Sequence, residues 1–461
     1  MLKNYLTVAW RNLYRNKLHT AINLGGLIIG FTIGIIILLV VYAEFTFDHF
    51  HANRNRIYEV YQEINKKDGQ EITNQFGFAP APIYKKEAQA VEKSTRILDG
   101  GNHVSYRGKD LVIPVAMVDE DFFSMFSFPI LKGNYSNPLT NLSDVVLTEN
   151  AVKKLFGNED PIGKTIMASA GENMQKYIVS AVVANFTNSS VNFEIVTRIE
   201  NRSNYASGRN DWNNRSPNIY VELKKGATPQ EAEGQIRMID KKYVPEWFDD
   251  LAKKDLKPDQ SGNIMATRLL PLSEAHFSTR VNGHRAVSSM QIVTLLSIGL
   301  LIIFIACFNY VNINLSNIFV RSREIGVRKC MGASKSKLFL QLWSESFLVC
   351  FISFVVSIFL VFYLLHSVPG FEQFKISAQS VIWQPVFILL AFALLFFISL
   401  IAGGYPSWLM IRLRVVETLK GKISLKRNSI LRSSLIVMQF VIACVMISST
   451  FIIYRQFKYR N

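Results

Sequence analysis

Residues 321–346 have the sequence RSREIGVRKCMGASKSKLFLQLWSES, and this stretch decides how the rest of the chain is interpreted. It is rich in Lys and Arg, it lies between two long apolar runs, and it contains a Gly-Ala-Ser at which a helix would break or change direction. Basic segments between apolar runs are typical of the cytoplasmic loops of membrane proteins. The pattern therefore predicts a cytoplasmic loop that carries a short helix and contacts a partner.

The composition indicates several membrane spans together with a large water-exposed domain. The chain has 461 residues, is 49% hydrophobic and has a mean hydropathy of +0.18, which is high for a soluble protein and low for one wholly embedded in the membrane. The formal net charge is +16, but the cations stand beside apolar runs, as the positive-inside rule predicts. No nucleic acid is therefore expected as a partner.

Five apolar runs are long enough to cross the bilayer, which takes about 20 helical residues. The predicted fold class is an α-helical membrane protein with a large α/β extracytoplasmic domain inserted between the first and second transmembrane helices. The predicted segments are 1–20, an amphipathic cytoplasmic-surface helix; 21–43, transmembrane helix 1; 44–285, the extracytoplasmic α/β domain; 286–320, transmembrane helix 2; 321–339, the cytoplasmic loop; 340–366, transmembrane helix 3; 384–410, transmembrane helix 4; 411–433, a cytoplasmic basic loop; and 434–454, transmembrane helix 5.

The long polar region has the signals of a mixed α/β domain. Residues 217–224 alternate apolar and polar side chains, as a strand does. Residues 145–157 predict a strand and then a short helix that Gly157 ends. Thr228 is expected to cap a helix, because Pro229 suits the first turn and Glu231 completes a capping box.

The basic segments also predict the topology and an internal repeat. They place the N-terminus and residues 321–337 and 412–432 in the cytoplasm, and hence residues 44–285 outside it. The fifth apolar run follows a basic lead-in, as the first does, and so it is interpreted as the start of a second repeat. The chain is accordingly expected to be one half of a two-repeat protein that continues past Asn461, and a stop codon there would contradict this.

Gly26, Gly30 and Gly34 recur at intervals of four residues in the first span. This spacing places the three glycines on one helix face, where another helix can approach closely. They are therefore predicted to be helix-packing residues.

Two motifs suggest ligand chemistry but do not meet its requirements. Residues 157–165, GNEDPIGKT, end like a P-loop, but five residues separate the two glycines where the nucleotide-binding pattern has four. A turn is predicted there instead. Asp48, His49 and His51 are candidate metal ligands, but nothing nearby completes a set, so a surface turn is expected. Neither a metal nor a cofactor is predicted, and no catalytic residues stand out.

Several stretches resemble the MacB/FtsX-type family of ABC transporter permeases. In this sequence they are REIGVRKCMGASKSKLFLQLWSES, RNLYRNKLHTAINLGGLIIG, EFTFDHFHANRNRIYEVY, LTENAVKKLFGNEDPIGKTI, YIVSAVVANF and GGYPSWLMIRLRVVETLKGK. Together they cover nearly the whole chain. One departure is Val415, which stands where the family usually has Pro before a Val-Glu pair, and it leaves the path of that loop open.

The resemblance implies that residues 321–339 form the coupling loop, which meets a separate ABC ATPase subunit. The residues implied to form this contact are Glu324, Arg328, Lys329, Gly332, Ala333 and Ser334. Their charges would orient the partner more than they would add affinity. ATP would be bound by that subunit, and further expected partners are the lipid bilayer, a second permease half or a second copy of the chain, and a periplasmic partner or substrate. The alternative is that the cations only keep the loop in the cytoplasm, as the positive-inside rule describes, and do not form a contact with a partner.

The function predicted from the resemblance is that of a permease subunit in an ABC-type efflux or mechanotransmission complex of a bacterial inner membrane. It would not be an enzyme itself. One alternative is a membrane-anchored sensor of an extracytoplasmic ligand. Another is a membrane enzyme that uses intramembrane polar groups such as Asn309, Asn312 and Glu345, although a nucleophile–base pair is not recognisable. Intramembrane asparagines, Asn314 among them, usually bond to neighbouring helices, and a substrate path is the alternative for them.

Overall fold

The computed structural model describes residues 17–66, 69–171, 173–186, 188–214, 216–252, 256, 258, 264–282, 286–316, 318–367, 381–412 and 426–460. Most of the helix predicted for residues 1–20 lies outside them, as do residues 413–425 of the predicted basic loop and Val415. The chain divides into two compact units. The insert unit is Glu44–Ser289, and the helical unit is Met1–Ala43 with Met290–Asn461.

The described part of the insert unit contains one mixed sheet of eleven strands. These are β1 (Ile57–Lys66), β2 (Gly69–Thr73), β3 (Val91–Tyr106), β4 (Lys109–Val118), β5 (Ile130–Gly133), β6 (Asp144–Thr148), β7 (Thr165–Ala170), β8 (Asn173–Val183), β9 (Ile195–Arg198), β10 (Asn218–Leu223) and β11 (Met265–Pro271). Their order is β11-β1-β10-β3-β4-β9-β6-β8-β5, with β2 beside β1 and with β7 beside β3 and β8. The pairs β4–β9 and β6–β8 are parallel.

The helices are numbered in chain order through both units. They are α1 (Lys17–Phe45), α2 (Pro80–Glu87), α3 (Phe122–Met125), α4 (Glu149–Phe156), α5 (Tyr205–Gly208), α6 (Pro229–Tyr243), α7 (Pro245–Ala252), α8 (Leu272–Ala275), α9 (Thr279–Asn282), α10 (Ser289–Ser316), α11 (Ile318–Cys330), α12 (Lys335–Ser367), α13 (Pro385–Ser399), α14 (Tyr405–Arg412) and α15 (Lys426–Arg460). A π-helical turn, Leu400–Gly404, joins α13 to α14.

The predicted local structure of the insert unit is confirmed at its caps. The Thr148 hydroxyl accepts a hydrogen bond from the Ala151 N–H (3.2 Å) at the start of α4, and Gly157 ends that helix with a φ of 62°, a conformation that favours glycine. At α6 the Thr228 hydroxyl accepts from the Glu231 N–H at 3.3 Å. Residues 157–164 form turns between α4 and β7, as predicted.

Strand β10 forms where its alternation predicts it, but both of its faces are buried. It pairs with β1 on one side and β3 on the other. Ile219, Val221 and Leu223 pack into one hydrophobic cluster, and Tyr220 packs into another on the opposite face. The sheet thus has an apolar layer on each side at this strand.

A turn forms at residues 46–50, and His49 is exposed on it, but the predicted surface position is wrong for Asp48 and His51, because both side chains are buried. The Ser190 N–H and hydroxyl donate to the Asp48 carboxylate at 2.9 and 2.5 Å, and the Ser127 N–H donates to His51 Nδ1 at 3.1 Å. Burial raises the pKa of Asp48 against these hydrogen bonds and lowers the pKa of His51 to about 4. The segment after α1 is therefore tied into the insert unit. No group of three possible metal ligands is found among the described residues.

Five of the described helices are long and apolar enough to cross a membrane: Thr20–Phe45, Ser289–Leu315, Lys335–Ser367, Pro385–Arg412 and Ile436–Gln456. The segment 321–339, predicted as a loop that carries a short helix, contains a helix but is more helical than predicted, because α11 runs to Cys330 and only four residues separate it from α12. The predicted basic loop 411–433 likewise becomes helical from Lys426. Runs of Lys and Arg do not break a helix, since both residues have high helix propensity.

We expect the insert unit to fold when it is expressed alone as residues 44–289. Its hydrophobic clusters are composed entirely of its own residues, so its burial does not depend on the helical unit. Thermal unfolding followed by far- and near-UV circular dichroism should give one coincident, cooperative transition. A product with secondary structure but without a near-UV transition would contradict this expectation.

Candidate functional site

The Gly-Ala-Ser of the opening stretch is the junction of a helical hairpin formed by α11 and the start of α12. Gly332 has a φ of 87°; its N–H donates to the Lys329 carbonyl (3.1 Å), and the Ala333 N–H donates to the Arg328 carbonyl (3.0 Å). This pair of bonds is the Schellman motif, which satisfies carbonyls at a helix end and needs a left-handed residue there. Gly332 therefore ends α11 for a local reason.

Ser334 begins the next helix. Its hydroxyl accepts from the Lys337 N–H (3.4 Å), and its carbonyl accepts from the Leu338 N–H (3.1 Å). Ser is a favoured residue at this position because its oxygen satisfies an otherwise unbonded N–H of the first turn. The order Gly-Ala-Ser is thus what a tight connection between two helices requires.

The charged residues of α11 hold the hairpin together. Arg328 donates to Gln341 of α12 (2.6 Å) and to Glu324 one turn earlier in α11 (2.5 Å). Lys329 donates to the carbonyl of Ile411 in the last turn of α14 (2.6 Å), where a cation also complements the helix dipole. Burial and, less strongly, the nearby Lys335 lower the pKa of Lys329. Arg328 and Lys329 are therefore engaged within the chain.

An apolar cluster lies beneath these polar contacts and joins α10, α11, α12 and α14. Ile325 is 5% exposed and is the member that α11 contributes. The other buried members are Val311, Leu315, Leu338, Met410 and Ile411. A displacement of α11 must therefore displace its neighbours or break this packing, because packed interiors deform little.

The outward face of the hairpin carries apolar side chains that the sequence prediction did not select. Met331, at the junction, is 77% exposed, and Val327 is 46% exposed one turn earlier. Glu324 lies on the same helix with 60% of its side chain exposed, and Lys335 and Lys337 follow the junction as exposed cations. The signal for the apolar pair lies in its spacing, since positions 327 and 331 fall on the face opposite Ile325.

The three glycines of α1 face α10. A Cβ on Gly26 would lie 3.2 Å from Asn309 Nδ2, on Gly30 2.7 Å from Ala306 Cβ, and on Gly34 3.1 Å from Ile303 Cδ1. The two helices therefore approach at a distance that side chains at these positions would prevent.

Replacing Gly30 by Leu is expected to destabilise the helical unit by about 1–3 kcal/mol, the usual cost of overpacking. The detergent-solubilised chain should melt at a lower temperature than the wild type. Gly25→Leu is the matched control, because a Cβ at Gly25 would have no neighbour within 4 Å. Equal melting temperatures for the two variants would mean that α1 and α10 do not pack in this way.

Two family models match the chain. The MacB-like periplasmic core domain matches residues 20–239, and the FtsX-like permease C-terminal domain matches residues 296–415. The hairpin, the cluster beneath it and α14 all lie in or at the edge of the second match. The first match covers α1 and most of the insert unit.

Two MacB proteins align with most of this chain. The macrolide export ATP-binding/permease protein MacB of Escherichia coli (strain K12) is 24% identical over 428 residues, and MacB 1 of Yersinia pestis is 22% identical over 426 residues. Each alignment covers 90% of this chain and 60% of the relative. The chain thus spans about 60% of the length of these relatives.

Solved structures of single domains are also similar to the chain. A domain of a putative permease protein from Porphyromonas gingivalis aligns with a TM-score of 0.40 and 19% identity, covering 48% of this chain and 91% of that domain. The periplasmic region of MacB from Actinobacillus actinomycetemcomitans aligns with a TM-score of 0.29 and 18% identity, covering 40% and 84%. The extracellular domain of the transporter YknZ aligns with a TM-score of 0.31 and 13% identity, covering 41% and 94%.

The predicted resemblance and fold class are confirmed by the two family matches, by relatives that cover 90% of the chain, and by the order of a long apolar helix, an α/β insert and further apolar helices. The chain therefore belongs to the MacB/FtsX-type family of ABC transporter permeases.

Proposed function

We propose that this chain is the permease subunit of an ABC-type complex and that the α11–α12 hairpin receives motion from a separate ATPase subunit. The observation that carries the proposal is the hairpin itself. Its inner face is joined to α14 and to a cluster of four helices, whereas its outer face presents Val327 and Met331. A hairpin that is packed against other helices on one face, and that exposes apolar side chains on the other, can transfer force from a partner to those helices.

The six residues predicted at this contact then have different roles. Gly332, Ala333 and Ser334 shape the junction, and Arg328 and Lys329 position α11 against α12 and α14. Glu324 and the exposed cations supply charges that orient the partner, and Met331 and Val327 supply the apolar contact. Met is suited to such a surface, because its flexible side chain adapts to a partner's pocket.

In this proposal the hairpin lies in the cytoplasm and the insert unit on the opposite side of the membrane, an orientation that the cations of the hairpin favour. In this proposal the partner binds ATP, and closure of two ATPase subunits moves the hairpin. The helices packed on it then transmit the displacement to α1 and α10, which enter and leave the insert unit. The insert unit would act on a cargo or partner outside the cytoplasm, either for efflux or for mechanotransmission.

The test is capture of candidate ABC ATPase subunits by the solubilised chain with and without nucleotide. Met331→Asp should weaken capture by at least about tenfold, because it introduces an unpaired charge at the centre of an apolar contact. The matched control is Met238→Asp in the insert unit, where the methionine is 71% exposed. That variant should be captured like the wild type.

A second variant distinguishes charge on the hairpin from its shape. Glu324→Gln removes the exposed charge but keeps an oxygen that can accept from Arg328, and it leaves the bond from Arg328 to Gln341 in place. Loss of capture would assign the orientation of the partner to Glu324. If Met331→Asp bound as tightly as the wild type, the hairpin would not be the contact, and if the wild type captured no ATPase in any nucleotide state, the sensor alternative would be favoured.

A further inference from the structure

The fourth of the long apolar helices is interrupted within its length. The segment Pro385–Arg412 consists of α13, the π-helical turn Leu400–Gly404 and α14. In a π-helical turn each backbone hydrogen bond reaches one residue further than in an α-helix, and such turns are frequent at functional sites. The coupling proposed above assigns no role to this turn.

Three further features weaken the helix at the same place. Gly403 and Gly404 both lie in the turn, and glycine has the lowest helix propensity after proline. Pro406 follows in the first turn of α14 and has no N–H to donate to a carbonyl of the preceding turn. The Ser407 hydroxyl donates to the Gly403 carbonyl at 2.6 Å, and bonds of this kind often bend helices. The helix can therefore bend here at lower cost than elsewhere in its length.

The turn lies at the boundary between two apolar clusters. Met410 and Ile411 of α14 belong to the cluster beneath the hairpin. A second cluster, here called the α13 cluster, joins α1, α10, α12 and α13, and its members on α13 and in the turn are Phe387, Ala391, Leu395, Ile398 and Ala402. Helices α10 and α12 contribute to both clusters as unbroken α-helices. The chain thus passes from one cluster to the other at the turn when it runs from α13 into α14.

One face of α12 holds the turn in place. Trp343 Nε1 donates to the carbonyl of Ser399, the residue before the turn, at 3.2 Å. The Trp343 ring also packs edge-to-face on Phe396 of α13, with centroids 6.1 Å apart. A Cβ on Gly403 would lie 2.3 Å from the Cβ of Ser346, one helical turn after Trp343. One hydrogen bond and one close approach therefore fix the angle between α13 and α14.

We propose that Leu400–Gly404 is a hinge and that Trp343 is the positioning residue that holds its resting angle. When the hairpin is displaced, α14 follows it and the hinge bends, so that α13 keeps its place in the α13 cluster. Hinges of this kind are a few residues at the end of an element. The displacement then reaches the insert unit through α10, which leads into it, and not through α13. This inference rests on the proposed coupling, because it names the helix that the motion leaves in place.

The test measures distances between pairs of nitroxide labels in the full chain, reconstituted in lipid nanodiscs after the two exposed native cysteines have been replaced by serine. The hinge pair is Leu389→Cys in α13 with Arg412→Cys in α14. The reference pair is Ser336→Cys with Phe359→Cys, which has the same separation in sequence but lies within the unbroken α12. All four labelled positions are exposed.

Trp343→Phe keeps an aromatic ring but removes the N–H that donates to Ser399. In the chain alone, the fraction of hinge-pair molecules outside the wild-type distance peak should rise about fivefold, the usual effect of one lost hydrogen bond. The reference pair should not change. Trp383→Phe is the matched control, because Trp383 is 77% exposed, and it should leave both pairs as in the wild type. A merely structural role for Trp343 would instead lower the melting temperature and leave the hinge-pair distances unchanged.

With a captured ATPase subunit, ATP should change the hinge-pair distance by about 2 Å or more, the size of helix shifts in switching proteins, and leave the reference pair unchanged. A bound ATPase whose ATP does not change the hinge-pair distance would overturn the hinge but not the proposed partner. Hinge-pair distances that are equal in the wild type and Trp343→Phe would overturn the role of Trp343. Failure of the wild type to capture any ATPase would contradict the proposed function instead, and the measurement on the chain alone would still decide whether the turn bends.

Discussion

Asp119→Ala is expected to destabilise the insert unit by about 3–5 kcal/mol, the usual cost of leaving a buried charge without its partner. Only 2% of the Arg96 side chain is exposed, and its Nε and Nη2 donate to the two carboxylate oxygens of Asp119 at 2.9 and 2.5 Å. Burial disfavours the charge of Arg96, yet Asp119 raises the pKa of the guanidinium above its ordinary value. Without Asp119 the hydrogen bonds left to the cation within the described part of the chain go to the neutral Phe78 carbonyl and Tyr205 hydroxyl, and Glu200 is an anion further away.

The measurement is urea unfolding of residues 44–289, with Arg96→Met and the double variant Arg96→Met/Asp119→Ala as controls. The double variant should be more stable than Asp119→Ala alone, because it removes the uncompensated charge together with its partner. Arg96→Met should cost less than Asp119→Ala, since 16% of the Asp119 side chain is exposed to water. A loss below about 1 kcal/mol in Asp119→Ala would mean that Arg96 finds another anion or reaches solvent.

Asp240→Asn is expected to make the insert unit less sensitive to pH. The side chain is 1% exposed and accepts hydrogen bonds from Tyr84 Oη (2.7 Å) and Thr267 Oγ1 (2.6 Å). Burial raises the pKa of Asp240 from 3.8 to about 6. The folded state binds the proton of Asp240 more tightly than the unfolded state does. The contribution of Asp240 to the free energy of unfolding is therefore complete below pH 3.8 and is lost as the pH rises to about 6. The loss amounts to about 3 kcal/mol.

The check is the difference in unfolding free energy between the wild type and Asp240→Asn at several pH values from 4 to 7.5, a range that brackets the transition at about 6. The wild type should lose stability relative to the variant as the pH rises. The two proteins are compared at each pH because His51 changes the stability of both in the opposite direction. The pKa of His51 is lowered from 6.5 to about 4, so its contribution to the free energy of unfolding is lost as the pH falls. A difference that does not change with pH would show that Asp240 titrates normally.

Local and periodic features of this chain could be predicted from the sequence. The apolar runs, the caps at Thr148 and Thr228 and the end of α4 at Gly157 depend on residues within a few positions of one another. The family could be predicted too, because the order of residues 323–346 is specific. Gly332 and Ser334 stand in that order for a local reason as well, since one ends a helix and the other begins the next.

Other features depended on contacts between distant parts of the chain. The segment 321–339 was predicted as a loop that carries a short helix, but the packing of Ile325 of α11 against α10, α12 and α14 was not predicted. Asp48 and His51 looked like a polar turn, and they are buried because Ser127 and Ser190 come to meet them from far along the chain. Neither the packing of Ile325 nor the hydrogen bonds of Asp48 and His51 could be predicted from the periodicity of the sequence.

The sequence by itself determined the class of protein, the order of its segments and the local ends of its helices. The tertiary structure decided which faces are buried, and so which residues of α11 hold the hairpin and which remain exposed. It also decided that Trp343 of α12 donates to the carbonyl of Ser399, although the two lie 56 positions apart in the sequence. The physical reason is that capping and helix periodicity act over a few residues, whereas burial depends on every element that packs against a side chain.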